Sequence, residues 1–258
     1  MAAPKFKDHH SYRLFADEVR NDNRYVFSKQ TNQFLSSFVQ LARRFTLKLG
    51  KDKELYRSQR GCENEPLTDE KGNKLEAVRP LSPDRMKPLP SEAKEGRVNP
   101  KGIAYLYLSN DIDTALAESR PWLGEPVSLG YFNVMRNLKL VSFTEDNISL
   151  IPPILLLDMA RIDRIVWEDI NRAFSRPVLR YEEATDYIPT QILAEVLKRE
   201  KYDGVFYKSR LGRGANIALF DIDSAELTKC ALVEVSNIKY DFKVMQPVAL
   251  TNKKKMGE

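Results

Sequence analysis

Gly96-Arg97-Val98-Asn99-Pro100-Lys101-Gly102 leads through Leu106-Tyr107-Leu108-Ser109 to Thr114-Ala115-Leu116-Ala117-Glu118, and the reading of the whole chain turns on this stretch. Asn99-Pro100-Lys101-Gly102 predicts a tight turn, because proline fixes φ and glycine tolerates the positive φ that a turn often needs. Ile103–Ser109 is apolar and β-prone, which predicts a buried strand. Asn110 or Asp111 then caps a short helix carrying Ala115, Leu116 and Glu118. An arginine, a tyrosine and a glutamate therefore fall within one turn–strand–helix unit. A glutamate so close to the buried end of a strand is a candidate catalytic carboxylate.

On the N-terminal side, residues 11–49 read as helical. Phe34, Phe38, Leu41 and Phe45 recur at i, i+4, i+7 and i+11, which places them on one helix face, where packing in a core explains them. Between them and the decisive stretch lies Cys62–Glu95, poor in apolar residues and rich in charge, with prolines at 66, 80, 83, 88 and 90. It exceeds an ordinary connection, and because it joins two arginine-bearing elements it reads as a functional loop over a site. On the C-terminal side, Val127–Val134 and Leu138–Phe143 suggest strands. Met159, Ile162, Ile165 and Val166 suit a helix over about 156–174. Pro189-Thr190-Gln191 opens another helix, with Ile192, Leu193, Val196 and Leu197 facing inward. Asp203–Tyr207 and Ala215–Asp221 read as strands joined by the glycine-rich basic loop 208–214, and Lys229–Val244 is β-prone. Helices first, then mixed strands and helices, predict an α+β fold in one domain. Residues 1–50 form its N-terminal helical region, 51–245 the domain proper and 246–258 a flexible tail.

Composition removes many chemistries. The chain has 258 residues, 42% of them hydrophobic, and no run approaches the ~18 apolar residues of a membrane helix. Residues 1–15 lack an apolar core, so no secretory signal is expected. Cys62 and Cys230 are too few for a disulfide framework and lack metal-ligand spacing, which fits a reducing cytoplasm. His9 and His10 are the only histidines, so histidine catalysis and a zinc site are not expected; no metal is predicted. The net charge of +5 spreads 41 basic residues among 36 acidic ones, which reads as a solvated mixed surface rather than a nucleic-acid stripe.

Three separated pieces could converge on a phosphate-bearing ligand: Leu55-Tyr56-Arg57-Ser58-Gln59, the Arg97–Glu118 unit, and Tyr207-Lys208-Ser209 with its glycine-rich loop and Asn216. Arginine suits a pyrophosphate because its planar fork donates in pairs, and a glycine-rich turn lets backbone amides approach the same anion. Read together, the pieces resemble the RES-domain family, the toxin half of a class of bacterial toxin–antitoxin modules. The arginine, glutamate and serine for which the family is named fall here on Arg57, Glu118 and Ser209. The resemblance is close across Gly96–Pro121 and extends to Tyr187-x-Pro189-Thr190-Gln191, Tyr202-Asp203-Gly204 and Asn216–Phe220. One departure is Val98, where many members carry a larger aromatic residue.

The resemblance implies a fold similar to ADP-ribosyltransferase toxins and cleavage of the nicotinamide–ribose bond of NAD⁺, by hydrolysis, by phosphorolysis or by transfer to a protein. It implies Glu118 as the carboxylate that stabilises the oxocarbenium-like ribose. Arg57 and Arg97 would hold the pyrophosphate, Tyr107 would stack on or hydrogen-bond the nicotinamide ribose, and Ser209 would orient Glu118. Gln59 and Asn216 are weaker polar candidates, and Arg85 contributes if its loop folds back. No cofactor beyond NAD⁺ as substrate is expected. A helix-turn-helix antitoxin is the expected partner, and nucleic acid is reached only through it. The competing readings are a protein mono-ADP-ribosyltransferase with the same donor pocket and a non-enzymatic basic nucleic-acid-binding module.

Overall fold

The computed structural model describes residues 6–68, 74–144, 161–176, 184–239 and 242. Helices α1 (Ser11–Asn21) and α2 (Lys29–Ala42) open the chain. Ser28 caps α2 by accepting from the Thr31 amide at 3.1 Å, which meets one of the orphan donors of a helix start. Glu18 of α1 binds the Ser28 amide, the Ser28 hydroxyl and the Thr31 hydroxyl, so one carboxylate ties the two helices at a fixed angle. The expected stripe of Phe34, Phe38, Leu41 and Phe45 is buried. The helical reading of 11–49 ends early, however: Arg43–Phe45 tighten into a 3₁₀ turn, and Thr46–Leu49 form strand β1. The alternating apolar residues of Thr46-Leu47-Lys48-Leu49 fit a half-buried strand at a sheet edge.

The sheet has eight strands in the order β1-β7-β8-β9-β5-β2-β6-β10. Its remaining members are β2 (Glu54–Arg60), β5 (Leu106–Ser109), β6 (Pro126–Val134), β7 (Leu138–Phe143), β8 (Gly204–Lys208), β9 (Ala215–Leu219) and β10 (Ala225–Glu234). Every neighbouring pair is antiparallel except β7 with β8, so the fold is α+β in one domain with a mixed, mainly antiparallel sheet. Phe15, Phe38, Phe143, Trp167 and Phe174 fill one face beneath α1, α2, α5 (Arg161–Ser175) and α6 (Ile188–Arg199). Leu55, Met86, Leu108, Phe132 and Ile217 fill the other. Ile192, expected inward, is only partly buried, whereas Leu193, Val196 and Leu197 are buried as expected.

Cys62–Glu95 is not a structureless excursion among its described residues. Strands β3 (Glu63–Thr68) and β4 (Lys74–Arg79) pair antiparallel, and a helical turn, α3 (Pro83–Met86), follows. Pro66 is tolerated because both strands of a two-stranded ribbon are edges. Residues 156–160 of the expected 156–174 helix, and the tail 246–258, lie outside the described residues. Among the described residues no helix is long and apolar enough to cross a membrane.

Candidate active site

Helix α4 (Ile112–Glu118) starts where strand β5 ends, and Asp111 caps it: its carboxylate accepts from the Thr114 amide at 2.8 Å and the Thr114 hydroxyl at 2.7 Å. These two bonds hold the Asp111 carboxyl below the usual carboxylate range. Thr114 Oγ1 in turn accepts from the Gly214 amide at 2.9 Å. A Cβ on Gly212 or Gly214 would run into Thr114, so the two glycines let the 208–214 loop lie against the first turn of α4. The expected role of this loop as an anion cradle is corrected accordingly. Its Gly212 and Gly214 amides are consumed inside the fold, by the Ser209 and Thr114 hydroxyls.

That close approach brings Ser209 to Glu118. The Ser209 hydroxyl accepts from the Leu211 and Gly212 amides at 3.0 and 3.1 Å, and donates to Glu118 Oε1 at 2.6 Å. With two donors already on its oxygen, the hydroxyl proton has one direction left, toward the carboxylate. Asn216 Nδ2 donates to the same Oε1 at 2.6 Å, and Asn216 Oδ1 accepts from the Ser109 hydroxyl at 2.7 Å. Ser109, Ser209 and Asn216 are buried while Glu118 itself is exposed. Three neighbouring strand ends thus hold one oxygen of an open carboxylate. No hydrogen bond among the described residues reaches Oε2, which leaves it available to a ligand.

Arg57 sits where β2 and β5 part, since the two strands pair only at Tyr56↔Ser109. Its guanidinium enters the fork and donates through Nη1 to the Tyr107 carbonyl at 3.0 Å, while its Nε is buried without a partner. Burial lowers its pKa to about 10, with Tyr107 opposing the shift. Gln59, Arg85 and Tyr107 share with Arg57 a cavity of about 380 Å³, and Gln59 Nε2 donates to the Arg85 carbonyl. The segment before Gly96 therefore folds back far enough to bring Arg85 beside Arg57.

Arg97 lies elsewhere. It lines a separate cavity of about 300 Å³, donates to the Ala173 carbonyl at 2.9 Å and stands 5.9 Å over the Tyr187 ring. The turn that carries it is clamped by α6: Gln191 Nε2 donates to the Gly96 and Asn99 carbonyls, and the Thr190 hydroxyl to the Arg97 carbonyl. Tyr107 completes the clamp, its hydroxyl donating to Asn99 Oδ1 at 2.7 Å and accepting from the Val98 amide at 3.0 Å. A Cβ on Gly96 would meet that hydroxyl, which is why this position needs glycine. Val98 is buried in the core. Tyr207, two residues before Ser209 in the third piece, is buried on β8 with its ring 6.2 Å from that of Phe174 on α5. Burial pushes its pKa well up, with Arg97 opposing and Glu118 reinforcing the shift.

No curated protein matches the chain. Among solved structures, it is similar to a chain in the crystal structure of the M. tuberculosis MbcT–MbcA toxin–antitoxin complex, at 13% sequence identity and a TM-score of 0.39, covering 77% of this chain and 93% of that one. The RES domain model matches residues 74–243, a segment that holds Arg97, Glu118, Ser209 and Asn216, and on that match the chain belongs to the RES-domain family.

Proposed function

We propose that this protein is a toxin that consumes NAD⁺ by breaking its nicotinamide–ribose bond. The observation that carries the reading is Glu118, an open carboxylate held through one oxygen by Ser209 and Asn216 with its second oxygen unengaged. When the bond breaks, its electron pair leaves with nicotinamide, which becomes neutral, and positive charge develops at the ribose carbon. A preorganised carboxylate is worth most against such developing charge, as in glycosidic cleavage generally. Water then adds to the ribose carbon and releases one proton to solvent, giving ADP-ribose. The nicotinamide nitrogen is already cationic in NAD⁺ and leaves neutral, so the reaction needs no general acid, and the lack of a histidine near Glu118 is no obstacle. Arg57, with an unsatisfied and desolvated guanidinium beside Gln59 and Arg85, is the second anchor; a phosphate would supply the acceptor it lacks. Ser209 positions Glu118 and does not react, because no histidine or lysine among the described residues is hydrogen-bonded to it and its proton is held by the carboxylate it orients. The family's toxin–antitoxin pairing supports a helix-turn-helix antitoxin as partner and a cytoplasmic setting, with nucleic acid met only through that partner.

Transfer of ADP-ribose to a protein is the second reading. It is favoured by Trp122 and Leu123, which are 59% and 65% exposed a few residues beyond Glu118, where an acceptor surface could dock. Purified protein incubated with labelled NAD⁺ separates the two: free ADP-ribose supports hydrolysis, and label on protein supports transfer. Glu118→Gln keeps the shape but removes the charge, and should slow turnover by about 10²–10³-fold with little change in NAD⁺ affinity. Expressed in bacteria, the wild type should lower NAD⁺ and arrest growth, and the Gln variant should do neither. NAD⁺ consumption by the folded variant at a near wild-type rate would overturn the mechanism.

A further inference from the structure

We infer that Ser109 is a positioning residue for Glu118: its hydroxyl fixes which way round the Asn216 amide lies, and that amide fixes the carboxylate. The inference rests on the proposed NAD⁺ reading and deepens it with a residue one hydrogen bond removed from the carboxylate. Ser109 closes β5 and is 3% exposed. It is the one residue of β5 in register with both neighbouring strands, opposite Tyr56 on β2 and Asn216 on β9. On the β2 side, Tyr56 leads directly into Arg57 at the fork. On the β9 side, Asn216 Nδ2 donates to Glu118 Oε1 at 2.6 Å. Paired strands lie about 4.8 Å apart, so Ser109 is the sheet position that joins the two proposed substrate anchors.

A primary amide has donors at one end and an acceptor at the other, and its shape fits a site either way round. One orientation points Nδ2 at Glu118. The other would set Oδ1 against a carboxylate oxygen, acceptor against acceptor. The Ser109 hydroxyl has a single proton and donates it to Asn216 Oδ1 at 2.7 Å, which holds Oδ1 on the side away from Glu118. Ser209 brings a second proton to the same Oε1 from the 208–214 loop. Two lines of hydrogen bonds therefore converge on one oxygen, with every proton directed toward it. Among the described residues, the Ser109 bond is the only one that holds the acceptor end of the amide. Asn216 is 8% exposed, so without that bond Oδ1 is left buried and unsatisfied. An amide held at one end alone turns more freely, and Glu118 loses a fixed donor.

Steady-state NAD⁺ kinetics on the full-length chain compare wild type with Ser109→Ala, Asn216→Ala, the double variant and Ser142→Ala. Ser109→Ala removes one oxygen and no backbone pairing of β5, so it folds. It should lower kcat about tenfold while KM changes less than about threefold, because a misplaced carboxylate is felt chiefly in the transition state. In the Asn216→Ala background the same change should cost no further rate, since both substitutions break one line of bonds. Ser142, buried in β7 and bonded to Thr144 at 3.2 Å, is the control for losing a buried hydroxyl from this sheet, and Ser142→Ala should leave kcat unchanged. An unchanged kcat in Ser109→Ala, equal losses in the two backgrounds, or an equal fall in Ser142→Ala would overturn the role. NMR of the Asn216 side-chain amide gives a readout that needs no turnover. Its signals should move toward those of a free amide in Ser109→Ala and stay in place in Ser142→Ala. If wild type consumes no NAD⁺, the NAD⁺ reading fails by itself, and this signal still decides: a shift supports the orienting role, and an unmoved signal overturns it.

Discussion

Arg57 shows how one side chain can be unfavourable for the fold and useful for the site. Its guanidinium is desolvated, makes one bond to a carbonyl and leaves Nε unsatisfied. A buried donor without an acceptor costs on the order of 1–3 kcal/mol. Arg57→Met keeps much of the stem packing and removes the charge, so it should raise stability by about 1 kcal/mol or more while weakening NAD⁺ binding. The penalty persists through neutral pH, because the fold lowers the affinity of this group for its proton, and fades only as pH rises through about 10. Thermal melts with and without NAD⁺ check both halves; a variant less stable than wild type would show that the guanidinium is structural. The motif residues Glu118 and Ser209 were legible because their types and neighbours recur as a pattern. Ser109 was not, because a serine on a buried strand reads as packing. Its importance arises only from a contact across the sheet, the bond from Ser109 to Asn216.

Among the elements, the loop 208–214 and helix α4 act as one device. Asp111 holds Thr114, Thr114 holds the Gly214 amide, and the loop so fixed presents Ser209 to Glu118. Asp111→Ala should cost about 1 kcal/mol of stability as a lost helix cap, and should reduce activity as well, since it loosens the loop that positions the carboxylate. The carboxyl is held below its usual range by the Thr114 hydroxyl and amide. Its contribution is therefore complete above the ordinary aspartate pKa and is lost as pH falls through the lowered one. Denaturation of wild type and variant across pH checks this: the gap between them should be full at neutral pH and close in strong acid. A gap that persists in acid would mean that Asp111 works through something other than its charge. Elements with clean periodicity, such as β6, β7 and α6, could be read directly from the sequence. The β3–β4 ribbon could not, because Pro66 and alternating charges argue against a strand, and each strand's partner is the other. Strand β1 was absorbed into a helix because the aromatic stripe ends at Phe45, immediately before it.

For the whole molecule, the question is whether residues 1–50 melt apart from the rest or with it. Trp167 on α5 stacks on Phe38 of α2 at 6.1 Å, on Phe45 at 4.2 Å and on Phe143 of β7 at 5.1 Å. Two of those three partners belong to the first 50 residues, and β1 adds an edge strand to the same sheet through β7. The aromatic stripe of α2 thus packs in a core to which the matched RES segment contributes the other side. This shared core predicts one cooperative unfolding transition for the full chain, by heat or denaturant. Trp167→Ala empties the junction and should cost roughly 3–5 kcal/mol. Because the lost contacts serve both portions, it should lower that single midpoint rather than split it. Calorimetry on wild type and variant reads the answer directly. Two separate transitions in the wild type would mean that the N-terminal helices are an appended unit.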